Sequence, residues 1–258
     1  MNANDCTKCA GKGHDTDVLN PLAEIECWYC FGTGDVNAER WVRDPARLDE
    51  LDHFEFRRAA KMPYYSGATY PAFTGKAKTS EDSPLQLDEL DLGAVPGKLY
   101  IGFAPGKFQA GRHDRSMDLD LDVLRHAEIK HVLCLVEDFE LQMLQMADYA
   151  EKCADRGILL HRLPIKDGSV GKLDAVFTAA LAMVWLIEQG ESVYVHCKGG
   201  LGRAGTLAAC ILLLAQESPV TPEYAIEAVR AARSPRAIEN KLQERFVTDF
   251  YHAYSAAS

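Results

Sequence analysis

Near residue 83 the rhythm of apolar and polar positions along the chain changes. Beyond that point, short aliphatic and β-branched runs alternate with longer stretches whose apolar positions recur every three or four residues. The short runs predict buried strands and the longer ones amphipathic helices. In order, "KLYIGF" reads as a strand, "DLDLDVLRHAEI" as a helix and "HVLCLV" as a strand. "FELQMLQMADYAEKCADR" follows as one helix, "ILLHRLPI" as a strand, "LDAVFTAALAMVWLIEQ" as a helix and "SVYVHC" as a strand. Three helices close the chain: "GRAGTLAACILLLAQE", "TPEYAIEAVRAAR" and "AIENKLQERFVTDFYHAY". Gly157 and Gly190 stand where helix C-caps are expected. Thr221-Pro222-Glu223 supplies a capping hydroxyl, a proline for the first turn and an early carboxylate. Strands alternating with helices imply an α/β fold whose central sheet is mostly parallel and covered by helices on both faces.

Upstream of residue 83 the texture differs. Residues 38–82 read as a connector with short helices, and residues 1–37 are rich in cysteine and glycine with almost no apolar periodicity. That first segment contains "CTKCAGKG" and "CWYCFGTG", two copies of CxxCxGxG. Each presents two sulfurs from one tight turn, and four thiolates at this spacing suit tetrahedral zinc. Cys6, Cys9, Cys27 and Cys30 are the expected ligands of one zinc ion. A full sulfur shell leaves no open coordination position, so this zinc is structural and can fold a segment too small to fold alone. The repeats resemble half of the cysteine-rich module of DnaJ-type chaperones. The aromatic residues of "WYCF" dock either a partner or the domain that follows.

Composition narrows the function. The chain has 258 residues, 8 cysteines and a formal net charge of -10. An acidic chain is a poor match for nucleic acid or an anionic membrane surface. Its longest apolar runs fall short of the roughly 18 residues of a membrane span. "MNANDCTKCAGKG" lacks the layout of a secretory signal. A cytoplasmic protein with mostly reduced thiols is the expectation.

The densest chemistry lies in "HCKGGLGRAGT", between the last strand and an apolar helix. Ligands of parallel α/β sheets collect at the carboxyl ends of strands, and Cys197 occupies that place. Gly199, Gly200 and Gly202 permit a tight loop lined by backbone amides, to which the following helix adds its positive end. Arg203 offers a planar fork for two phosphate oxygens. The same field acts on the sulfur. A free cysteine titrates near 8.5, and a helix N-terminus with a neighbouring cation lowers this to roughly 3.5–7.5. One loop therefore binds a phosphoryl group and generates its attacker.

"VHCKGGLGRAG" resembles the HCxxGxxR signature of cysteine-dependent tyrosine and dual-specificity protein phosphatases. "LYIGFAPGKF", "IKHVLCLVEDFEL", "GILLHRLPIKDG" and "TPEYAIEAVRAARSPRAIENKLQERFVTDF" extend the resemblance to the kinase-associated phosphatases over residues 83–258. It implies that Cys197 forms a phosphocysteine intermediate, Arg203 stabilises the transferring group and Asp167 is the general acid, with Asp174 the competing candidate. It also implies that His196 organises the loop and that His196, Lys198, Gly199, Gly200, Leu201 and Gly202 make the substrate-binding cradle. Glu239 and Gln243 fall on a helix expected near the pocket. The expected partner is a phosphorylated protein carrying phosphotyrosine and also phosphoserine or phosphothreonine, with no catalytic metal.

The sequence departs from the family at Ala204, where a serine or threonine hydroxyl usually assists the departing thiolate. Two other functions stay open: a phosphoinositide phosphatase, which the apolar Leu201 disfavours, and a non-catalytic zinc adaptor that holds phosphorylated partners. Cys134, Cys153 and Cys210 read as buried packing residues, with a protective disulfide between Cys134 and Cys197 as an alternative for the first. His126, His131 and His161 show no ligand spacing, and Met143 and Met146 read as packing.

Overall fold

The structure is a computed structural model that describes residues 76–216 and 220–254. The expected zinc ligands Cys6, Cys9, Cys27 and Cys30, and the connector as far as residue 75, lie outside the described residues. Residues 76–82 belong with the domain that follows. Lys78 bridges to His113, and the buried Ser80 exchanges hydrogen bonds with the backbone of Ser116.

Strands β1 (Asp88–Leu90), β2 (Leu99–Phe103), β5 (Ile129–Cys134), β6 (Leu159–Arg162) and β7 (Ser192–Cys197) form one sheet in the order β1-β2-β7-β5-β6. The four inner and far strands run parallel, while edge strand β1 is antiparallel to β2, so the sheet is mixed. Strands β3 (Phe108–Gln109) and β4 (His113–Asp114) form a separate small ribbon. At two or three residues each, β1, β3 and β4 are too short for a period-two pattern to reveal them.

Helices α1 (Met117–His126) and α3 (Tyr149–Ala154) cover one face of the sheet, with α2 (Asp138–Met143) at its carboxyl end. The other face carries α4 (Leu173–Glu188) and α5 (Gly202–Ala215), and α5 is in turn covered by α6 (Pro222–Ala232) and α7 (Lys241–Tyr254). Helix α5 is buried along almost its whole length, which explains a sequence apolar on all sides rather than along one stripe. Thr221 caps α6 as expected, its hydroxyl accepting from the Tyr224 amide.

The stretch read as a single helix over 139–156 is two helices, α2 and α3. Helix α2 closes in a Schellman motif: Met146 N donates to Leu141 O, Gln145 N donates to Gln142 O, and Gln145 takes φ 57°. Glycine usually occupies that left-handed position; glutamine there leaves no punctuation in the sequence. The break buries Met146 and leaves Met143 exposed, so only one of the pair packs. Among the described residues, no helix is long and apolar enough to cross a membrane.

Candidate active site

Strand pairing sets the position of the chemistry. Phe103 on β2 is opposite Cys197 on β7, and Cys134 on β5 is opposite His196. Neighbouring residues of a strand point to opposite faces, so Cys197 and His196 look in different directions. The His196 ring lies on the α3 face, where Nε2 meets the Tyr149 hydroxyl at 2.9 Å and Nδ1 meets the Cys197 carbonyl at 3.3 Å. A carbonyl can only accept, so Nδ1 carries the proton and Nε2 accepts from Tyr149. Burial pushes His196 down to about 3, which keeps the ring neutral. His196 therefore braces the strand end from behind and does not line the substrate cradle.

The same alternation removes the disulfide considered between Cys134 and Cys197. Cys134 shares the face of His196, and both thiols are free. Burial pushes the Cys134, Cys153 and Cys210 thiols up, as befits packing residues.

Cys197 is 4% exposed, and its sulfur accepts the Gly200 amide at 3.2 Å. Gly200 has φ 70°, and a Cβ there would lie 2.1 Å from the Gly102 carbonyl oxygen. Only glycine fits. Gly199 is different, since a Cβ there would meet nothing within 4 Å. The three carbonyls of this stretch are taken by groups outside the loop. Lys198 O accepts from Lys107 Nζ at 3.1 Å and from Ala104 N at 3.4 Å. Arg233 donates from Nη2 to Gly199 O at 3.2 Å and from Nε to Gly200 O at 3.0 Å, and its Nη1 pairs with Asp88 at 2.5 Å. Leu201 precedes the first turn of α5, its carbonyl accepting from Gly205 and Ile238. At Gly202 an added Cβ would collide with Glu239 Oε2 at 2.5 Å and Gln243 Nε2 at 2.8 Å, so both side chains close over the loop.

Arg203 is 2% exposed. Its guanidinium meets Glu140 on two edges, Nη1 to Oε2 at 2.6 Å and Nη2 to Oε1 at 3.0 Å, and Nη1 also donates to Ile165 O at 2.7 Å. Nη2 lies 3.0 Å from Asp167 Oδ1. The buried Nε has no acceptor among the described residues. Asp167 stands in the β6–α4 loop, which α7 pins from outside: Asn240 donates to Gly168 O and Gln243 to Ser169 O. Asp174 instead occupies the first turn of α4, its carboxylate accepting from the Ala175 amide. Arg203 and Asp167 thus meet, the Cys197 charge acts on the same guanidinium, and Asp174 does not join them. Thr206 donates to Gly202 O at 2.9 Å, so its hydroxyl is committed within α5 and does not replace the one missing at Ala204.

Sequence reasoning missed Glu140, Lys107 and Arg233. Each is one charged residue among many in its own segment, and only the fold brings it to the loop. No sequence signal marks them, because the burial of Arg203 that demands a carboxylate partner is itself visible only in the fold.

A thiol at a strand end, a glycine loop whose amide turns to the sulfur and a buried guanidinium beside a carboxylate are the parts of a cysteine-dependent phosphatase. Residues 103–247 match the family model described as "PTP-SAK: Swiss Army Knife protein, DSP-PTPase phosphatase domain", and the chain belongs to this family of dual-specificity-type phosphatases. The chain is similar to cyclin-dependent kinase inhibitor 3 of Rattus norvegicus, 28% identical over 173 residues that span 66% of this chain and 80% of the relative. A shorter stretch of 63 residues, 24% of this chain and 18% of the relative, is 41% identical to phosphatidylglycerophosphate phosphatase PTPMT1 of Arabidopsis thaliana. The fold is shared with a crystal structure of kinase associated phosphatase bearing serine at its catalytic site cysteine. That match has TM-score 0.63 and 24% identity, covering 67% of this chain and 98% of the other.

Proposed function

We propose that this phosphatase acts on phosphorylated proteins, with Cys197 as nucleophile, Arg203 as phosphoryl clamp and Asp167 as general acid. Cys197 Sγ attacks phosphorus as the bond to the leaving oxygen breaks, and Asp167 gives that oxygen its proton. Water then attacks the phosphocysteine, Asp167 takes a proton from it, and inorganic phosphate leaves with the thiolate restored. Positioned proton transfer of this kind contributes roughly 10²–10⁴ in rate. The observation that carries the reading is the Arg203 guanidinium, locked by Glu140 yet keeping a buried Nε without an acceptor among the described residues. Such a donor fits a phosphoryl oxygen.

Similarity to cyclin-dependent kinase inhibitor 3 and to protein tyrosine phosphatase domain-containing protein 1 of Mus musculus, the latter 36% identical over 100 residues, supports a protein substrate. Leu201 leaves the loop less cationic than an inositol lipid headgroup favours. We place the protein in the cytoplasm, where Cys197 stays reduced, and assign one structural zinc to Cys6, Cys9, Cys27 and Cys30 on their repeated spacing. Zinc content of purified protein, before and after Cys27 and Cys30 are both replaced by serine, tests that ligand set.

Cys197→Ser is the decisive variant. It abolishes release of phosphate from phosphopeptides while the protein stays folded. Retained turnover refutes the mechanism, and faster turnover of inositol lipids than of phosphopeptides in the wild type refutes the substrate class.

A further inference from the structure

Lys107 is a lysine in an unusual place. It is 4% exposed, and no carboxylate among the described residues forms an ion pair with it. It donates to the Lys198 carbonyl at 3.1 Å and stands over the face of Phe103, with Nζ 4.6 Å from the ring centroid. Arg115 stands over the same ring at 4.8 Å, itself held by the buried Asp120. Burying an unpaired ammonium is costly, and neither a carbonyl nor an aromatic face offsets that in full.

The segment carrying Lys107 is built to hold it. Gly106, at φ 64°, has room only for hydrogen, because a Cβ would lie 2.6 Å from the Met117 backbone, and its amide donates to Asp120 Oδ2 at 2.8 Å. The groups facing Lys107 explain why. From the end of β7 comes Cys197, from the loop after it Lys198, from the β4 side Arg115, and from the end of α6 Arg233. His113 on β4 also feels the Lys107 charge. Cys197 favours the ammonium, whereas Arg115, Lys198 and Arg233 oppose it. The complement this cation lacks is the negative charge of the cradle.

We propose that Lys107 is a positioning residue of the phosphatase: its ammonium draws the Lys198 carbonyl away from the loop interior and adds a buried positive charge that favours anions at Cys197. This rests on the cradle around Cys197 being the phosphoryl site. Burial pushes Lys107 down to about 8. The charge is therefore present below that pH and lost above it, and oxyanion affinity falls as pH rises through this value.

The test measures inhibition by tungstate, a tetrahedral dianion whose charge is constant in the range used, from about pH 6.5 to about pH 9.5. It also measures the rate at which iodoacetamide alkylates Cys197. Wild type, Lys107→Met and Lys107→Arg are compared as full chains, with thermal melts to establish folding. Lys107→Met weakens tungstate about tenfold and slows alkylation by a similar factor. Lys107→Arg, whose charge does not titrate, keeps tungstate binding and loses the fall in affinity near pH 8. A folded Lys107→Met variant with wild-type affinity and alkylation overturns the proposal. If that variant does not fold, an identical pH profile in wild type and Lys107→Arg overturns it. Failure of wild-type protein to bind tungstate at any pH overturns instead the reading of the cradle as a phosphoryl site, and this proposal with it.

Discussion

Arg203 and Glu140 form a two-pronged ion pair whose side chains are 0% and 3% exposed. Helix α2, at the carboxyl end of β5, thus fixes the plane of a guanidinium carried by α5. Nη1 is further committed to the Ile165 and Leu135 carbonyls, so the edge left for substrate is Nε and the share of Nη2 that Asp167 now holds. The pair selects which nitrogens can reach a phosphoryl group.

Breaking that pair separates positioning from folding. Glu140→Gln keeps the shape and one acceptor but removes the charge, so Arg203 is less firmly oriented. We expect kcat on an aryl phosphate to fall about 10–100-fold, roughly 1.4–2.7 kcal/mol of transition-state stabilisation. Glu140→Ala leaves a buried charge uncompensated and costs about 3–5 kcal/mol of stability, read from urea unfolding. Wild-type kcat in Glu140→Gln would show that the pair is structural only.

Two adjacent glycines of the cradle make opposite demands. Gly200→Ala forces a Cβ to within 2.1 Å of the Gly102 carbonyl oxygen at a positive φ, so the loop must rebuild and lose its amide contact to Cys197. Gly199→Ala places its methyl in open space. The expected result is loss of phosphate binding in the first variant and near wild-type turnover in the second. Equal behaviour of the two would contradict the described loop geometry.

These contrasts also show what the sequence could reveal. Cys197, the glycines and Arg203 are legible because one tight loop needs all of them within a few residues. Asp167 is named by the family resemblance, and the structure brings it to Arg203 Nη2. Glu140 precedes Arg203 by 63 residues and Lys107 precedes Lys198 by 91, so no local pattern joins either pair. The strands and longer helices follow from periodicity, whereas the break at Gln145 is driven by tertiary burial of Met146 without any glycine to mark it. The direction of His196 required the register of β7 against β5, which no single segment carries.

Asp167 has two consequences that pull in opposite directions. Its carboxylate sits 3.0 Å from Arg203 Nη2, on a nitrogen that an incoming phosphoryl group also needs. Asp167→Asn removes this competing charge and removes the proposed proton donor. We expect tighter binding of phosphate or tungstate together with a lower kcat, the rate loss being greatest for alkyl phosphates, whose leaving oxygens need the proton most. Uniform loss across good and poor leaving groups would take Asp167 out of the acid role.

Acid should destabilise the domain through the histidine behind Cys197. An unfolded histidine titrates near 6.5, whereas burial, aided by the charges of Arg162, Arg203 and Lys107, holds folded His196 down at about 3. Below about pH 6.5 the unfolded chain takes up a proton that the folded chain refuses, so the unfolded state binds more protons and stability falls with falling pH. The contribution is fully present above about pH 6.5 and is lost progressively toward pH 3, at about 1.4 kcal/mol per unit. His113, held at about 4 mainly by burial, acts in the same direction. Urea midpoints measured from neutral pH to about pH 4.5 should fall more steeply in wild type than in His196→Asn. That variant starts less stable, because Tyr149 loses its ring acceptor at 2.9 Å, but it carries no imidazole to protonate. Parallel slopes for the two proteins would mean that the buried imidazole does not govern acid stability.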